Sequence, residues 1–175
     1  MSDEFDKIYI DADDDESVYE KTAKAGRRIL VFALGDEIYC VDVPQTKEVI
    51  RLPELTRVPN VPPFVLGVAN LRGEILSILD LHYFFGLERK GTARNARVIV
   101  TDVSGPKIGL LVDEVRDTVE VAEENIQEPL ATLKGRLVEL TKGQIPYGND
   151  IYTLLDFERL LACDEIRNLR KGEGL

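Results

Sequence analysis

The chain holds 175 residues, with 22 Lys+Arg against 32 Asp+Glu and a formal charge of −10. At 44% hydrophobic and 7% aromatic it has enough apolar side chain for one ordinary globular domain or two small ones, and no run of about 18 apolar residues is present to insert into a membrane. No basic stripe is present to release counterions from a phosphate backbone, which argues against a nucleic-acid partner.

The acid is concentrated at the start. Residues 1–26 carry nine carboxylates and three lysines, a net of −6, and lack the basic and apolar regions of a secretory signal, which points to the cytoplasm. The run DADDDES cannot bury enough apolar surface to offset chain entropy, so an ill-ordered leader is expected over 1–26. Its Asp13, Asp14, Asp15 and Glu16 lack the spaced oxygen ligands and turn glycine of a calcium loop, so no metal site is expected. Cys40 and Cys163 have no neighbouring cysteine and are read as core residues. His82, alone among polar and aromatic neighbours, is read as an exposed helix residue. With no glycine-rich phosphate loop either, no cofactor and no catalysis are expected.

In chain order, Ile29 to Leu34 is apolar on both faces, Gly35-Asp36 supplies a tight turn, and Glu37 to Val43 returns as the second strand of a hairpin. Pro44 suits a first helical turn, so one or two helical turns are expected over Thr46, Lys47, Glu48 and Val49 before the chain extends again to Leu52. Pro53, Pro59, Pro62 and Pro63 then mark a connecting loop. Val68 to Leu71, the Arg72-Gly73 turn and Glu74 to Leu79 read as a second hairpin, followed by a short helix from Leu81 to Phe85 between an Asp80 cap and Gly86. Past a charged linker, strands are expected at Val98 to Val103, Lys107 to Val112, Val115 to Val121, Leu137 to Leu140 and Ile151 to Leu155, with Asp156 capping a C-terminal helix to about residue 170.

Two segments echo each other. ILSILDLHYFF (Ile75 to Phe85) lies over IYTLLDFERLL (Ile151 to Leu161), and GDEIYCV (Gly35 to Val41) over GPKIGLL (Gly105 to Leu111). The pattern implies a mainly β fold of two packed five-stranded, SH3-like β-barrel subdomains, about 29–86 and 97–163, with short helices and a C-terminal helix. Halves of about 70 residues bury little core alone, so they are expected to share an interface.

The order ILVFALGDEIYCVDV, KEVIRL, the proline connector, GVANLRGEILSILDL, VIVTDVSGPKIGLLVDEV and LLDFERLL resembles the CheW-type chemotaxis coupling family over about residues 27–163. The resemblance implies a scaffold without chemistry that joins the cytoplasmic tips of methyl-accepting chemoreceptors to a CheA-type histidine kinase, at the membrane-associated receptor array and without direct membrane insertion. The chain departs from the family pattern at Thr46, where an aliphatic residue is frequent, and at Ser77, where proline is common.

Glu48 and Arg72 each stand among apolar neighbours, which favours their pairing with opposite charge. The resemblance matches them to a Glu and an Arg that face each other at a receptor-binding edge. It further implies a groove lined by Thr46, Gly67, Asn70, Val98 and Val115, although Gly67 equally suits a close backbone approach. Kinase contact is expected at an unpaired strand edge around Ile38 and Val41. Two other classes stand beside the adaptor: a ligand-sensing barrel with an internal cavity, and a hydrolase using Asp80 and Asp113. A CheW-like adaptor of a pilus or other non-flagellar pathway is a further alternative.

Overall fold

The computed structural model describes residues 26–89, 92, 94–103, 105 and 107–170, so the expectation of an ill-ordered leader lies outside the described residues. The elements are β1 (Arg27–Leu34), β2 (Glu37–Asp42), β3 (Thr46–Arg51), β4 (Val65–Leu71), β5 (Glu74–Asp80), α1 (Leu81–Phe85), β6 (Arg97–Thr101), β7 (Ile108–Val112) and β8 (Glu114–Val121). They continue with α2 (Arg136–Leu140), β9 (Thr141–Tyr147), β10 (Asp150–Leu155), α3 (Phe157–Ala162) and α4 (Asp164–Arg170). Among the described residues no helix is long and apolar enough to cross a membrane.

The strands form two five-stranded sheets, ordered β8-β1-β2-β10-β9 and β3-β6-β7-β5-β4. The division at residues 29–86 and 97–163 is therefore corrected, because each half of the chain contributes to both sheets. β1 and β2 stay in the first sheet while β3, β4 and β5 join the second; β6 and β7 stay in the second while β8, β9 and β10 return to the first. The crossovers are short. A 3-10 turn over Val43–Gln45, with Pro44 inside it, turns the chain out of β2, and Asp113 alone separates β7 from β8.

The internal echo is a relation of position as well as of sequence. β2 pairs parallel with β10 and β7 pairs parallel with β5, so IYTLLDFERLL and ILSILDLHYFF occupy matching places in the two sheets. Asp80 and Asp156 cap the helices that follow, accepting from the backbone of His82 and of Glu158 and Arg159 respectively.

Strands apolar on both faces need core on both sides, and the packing supplies it. Ile29, Val31 and Cys40 face the inside of the first curled sheet with Leu154. Leu76, Ile78, Val98 and Val100 fill the second. The alternate residues Leu30, Phe32, Leu34, Tyr39 and Val41 meet Leu79, Ile99 and Leu110 between the sheets, with Phe84, Phe157 and Leu161 from the helices. The largest core of the molecule thus lies between the two sheets, each built from both halves of the chain.

Neither ladder runs full circle, unlike an ideal barrel. One isolated bridge spans each gap: Thr56 pairs with Val68 in the second sheet and Gln127 with Gln144 in the first. A glycine permits each. A Cβ on Gly67 would stand 2.6 Å from the Thr56 carbonyl oxygen, and one on Gly143 would stand 2.6 Å from that of Gln127.

Three local expectations are corrected. Thr46 to Val49 is strand, not helix, because β-branched Thr46, Val49 and Ile50 pair with β6 in register. Leu137 to Leu140 is part of α2, whereas β9, interrupted in sequence by Gly143 and Pro146, is the strand. The C-terminal helix is two helices, α3 and α4, separated at Cys163.

Candidate functional site

The β4–β5 hairpin turns on two residues, Arg72 and Gly73, with φ values of 52 and 83. Positive φ at both central positions is the requirement of a type I′ turn, for which Asn-Gly is the favoured pair. Arginine there is strained by roughly 1 kcal/mol, so its side chain must be the reason for its presence. Arg72 Nη1 and Nη2 donate to Glu48 Oε1 and Oε2 at 2.8 and 2.9 Å, a two-pronged pair. Glu48 lies on β3 and Arg72 joins β4 to β5, so the pair spans the gap between opposite edges of the second sheet.

Around this pair the hairpin end is built for display. Arg72's side chain is 72% exposed and that of Glu48 22%. Asn70 Oδ1 accepts from the backbone N–H of Gly73 at 2.9 Å, fixing the turn. Ile75, directly across from Asn70, is 72% exposed, a large apolar side chain three residues from Arg72 in the same hairpin. Its alternation with Leu76 is legible from strand period, but its exposure depends on the β5–β7 ladder beginning only at Ser77, which leaves Ile75 paired on the β4 side alone. Glu74 pairs with Lys107 next to it.

The structure divides the other residues assigned to the groove. Thr46 stands two residues from Glu48 on β3, where its hydroxyl donates to the Val43 carbonyl and holds the crossover turn. Gly67 is at the seam already described and presents no groove surface. Val98 is fully buried inside the second sheet and cannot line an open surface. Val115 belongs to β8 of the other sheet and packs against the inter-sheet core. The expected free edge at Ile38 and Val41 is also corrected: β2 is hydrogen-bonded between β1 and β10, Val41 is fully buried, and Ile38 packs against the first sheet's interior.

His82 overturns its reading as an exposed residue. It is 3% exposed, with Nδ1 2.9 Å from Asp80 Oδ1 and Nε2 2.9 Å from Asp113 Oδ2. The hydrogen bond to Asp80 holds the imidazole pKa above its ordinary value; burial pulls the other way, and Asp113 adds to the rise. Asp113 also accepts from the Gly35 backbone N–H at 2.7 Å, and Arg89 Nη1 donates to Asp80 at 3.3 Å. The two carboxylates considered for hydrolysis therefore close on one buried ring that links a helix cap to a crossover. The other crossover is held similarly: Gln45 Nε2 donates to Asp156 at 3.2 Å, and its Oε1 accepts from the Phe157 N–H at 2.9 Å. The interiors that a ligand-sensing barrel would leave hollow are packed with aliphatic side chains. No group of His, Cys, Asp or Glu among the described residues is placed to hold a metal ion.

Filled sheets, rigidly clamped crossovers and a charged hairpin end define a scaffold that offers surfaces to partners. Residues 28–165 match the model of the CheW-like domain, and the chain belongs to that family. The chemotaxis protein CheW of Klebsiella aerogenes is 32% identical over 141 residues, 81% of this chain and 85% of that protein. That of Treponema pallidum is 27% identical over 146 residues, 81% of this chain and 86% of the other. The crystal structure of the scaffolding protein TtCheW from Thermoanaerobacter tengcongensis superposes with a TM-score of 0.71 at 27% identity, covering 80% of this chain and 90% of that one. The role is that of an adaptor in chemotaxis signalling.

Proposed function

We propose that this chain couples the cytoplasmic tips of chemoreceptors to a CheA-type histidine kinase, without chemistry of its own, in the cytoplasm at the membrane-associated receptor array. One observation carries the receptor half of this reading. Arg72 occupies a left-handed turn position at a conformational cost, and it uses both guanidinium nitrogens on Glu48 while remaining mostly exposed. A residue kept only for the turn would be asparagine or glycine, and a residue kept only for stability would be buried. Arg72 keeps N–H groups beyond those on Glu48 and is mostly exposed, and Ile75 of the same hairpin is exposed as well; charge and apolar anchor at one hairpin end suit a receptor helix. Glu48, Arg72, Asn70 and Ile75 form this surface, with Thr46 two residues from Glu48 on β3.

The test is titration calorimetry of the purified chain against the regulatory domain of its cognate kinase and against a receptor-tip fragment, alongside assays for phosphotransfer and hydrolysis. Kinase binding at about 10⁻⁵ to 10⁻⁷ M, with no turnover, is expected. Enzymatic turnover, or no binding at high micromolar concentration, would contradict the reading.

A further inference from the structure

At the end of the second sheet opposite the Thr46 crossover, β3 ends and β6 begins on two arginines facing each other: Arg51 and Arg97 are cross-strand partners. Like charges directly opposite on a sheet repel. Arg94 joins them, and the three line one cleft of about 500 Å³ with Thr92, Asn95 and Ala96. Arg97 Nη1 is turned onto the carbonyls of Asn95 and Ala96. Among the described residues no carboxylate lies within ion-pair reach of Arg51, Arg94 or Arg97. Other arginines, such as Arg27, Arg72 and Arg136, hold acidic partners, and those without one stand apart from one another, whereas these three share one cleft. In a chain with ten more acids than bases, three converging unpaired guanidiniums form a site for an anion. Thr92, whose hydroxyl accepts from Arg89 Nη2 at 2.8 Å, keeps its own O–H to donate.

We propose that this cleft is a carboxylate-binding site whose occupant is the chain's own acidic segment Asp11–Glu16. Charge complementarity is direct, because that segment is the densest run of acid in the sequence and the cleft is lined by arginines without acidic partners. Its reach suffices. Gly26, the first described residue, lines a separate cleft with Gln45, and β3 begins at the next residue, Thr46. The six residues of β3 carry the path to Arg51 over about 17 Å. Ten residues join Glu16 to Gly26 and extend to about 33 Å, about twice that run. The nearer cleft offers less, since its Arg27 and Lys142 are already engaged by Asp42 and Arg28 alone there lacks an acidic partner.

The experiment places a nitroxide on Ser17→Cys in the full-length chain, with Cys163→Ser to leave only buried Cys40, and records amide signals by nuclear magnetic resonance. Loss of the signals of Arg51, Asn95 and Ala96 is expected. Their recovery is expected in Arg51→Gln/Arg94→Gln, and also in about 1 M salt, where the screening length falls to about 3 Å. Arg51 and Arg94 are exposed, so folding should survive, and an unchanged amide spectrum away from the cleft confirms it. Signal loss that persists in the double variant, or that is absent at these amides, overturns the proposal. Loss seen when nitroxide-labelled chains are mixed with unlabelled, isotope-enriched chains also overturns it, because the occupant would then be a second copy.

Discussion

Nε2 of His82 lies 2.9 Å from Oδ2 of Asp113, across 31 residues of sequence, while Nδ1 of the same ring lies 2.9 Å from Asp80. A carboxylate at each nitrogen favours the imidazolium, which can donate from both, and the ring's pKa is raised accordingly. The ring is a structural link. It ties the start of α1 to the residue at which the chain leaves the second sheet for the first, and through Asp113 to the β1–β2 turn at Gly35.

This arrangement fixes a pH dependence. The His82 pKa is raised above about 6.5, so its contribution to stability is fully present below that value and is lost as pH rises through the folded pKa. Burial pushes the Asp80 carboxyl up, but its bonds to His82 and the charges of His82 and Arg89 outweigh this and leave it depressed. The Asp80 contribution is present above about 3.9 and is lost as pH falls through its folded value. Because the chain has one histidine, its ring resonances titrate without ambiguity. A midpoint above 6.5 that falls in Asp113→Asn is expected; a midpoint at or below 6.5 would contradict the bridge.

Both seam glycines should be intolerant of a side chain, Gly67 the more so. An alanine at either Gly67 or Gly143 places its Cβ 2.6 Å from a backbone carbonyl oxygen of the bridging segment. Each substitution should cost about 1–3 kcal/mol in urea unfolding, with Gly67 adding the strain of a φ of 150. A loss below about 0.5 kcal/mol at both would show that the bridges do not hold the sheets closed.

Arg72→Asn separates display from stability. Its exposed ion pair is worth no more than about 1 kcal/mol, and asparagine relieves a similar strain in the turn. The unfolding midpoint should be unchanged or slightly raised. A loss above about 2 kcal/mol would mean that the pair with Glu48 holds the fold together.

Sequence reading reaches as far as local physics does. The β1–β2 hairpin, the Asp80 and Asp156 caps and the repeat follow from neighbouring residues, whereas the pairing of Glu48 with Arg72 in particular comes from the family resemblance. Which sheet β3 joins does not, because a strand pairing with β2 or with β6 carries the same alternation. Val41 and Val98 show the same limit. Both lie on strands buried on two faces, where no polar alternation separates groove from core. His82 was misread because its second partner, Asp113, is distant in sequence, and an isolated histidine among aromatics carries no trace of it. The four apolar-rich residues Leu137 to Leu140 are too short to distinguish a helix from a strand by period.

The most direct measurement is the affinity of Arg72→Lys for the receptor tip and, in parallel, for the kinase regulatory domain. Lysine keeps the charge but loses the planar fork that spans both Glu48 oxygens and still presents N–H groups outward. Receptor affinity should fall at least tenfold, about 1.4 kcal/mol, with kinase affinity and the unfolding midpoint unchanged. Equal weakening toward both partners, or undiminished receptor binding, would contradict the assignment of this hairpin end as the receptor surface of the adaptor.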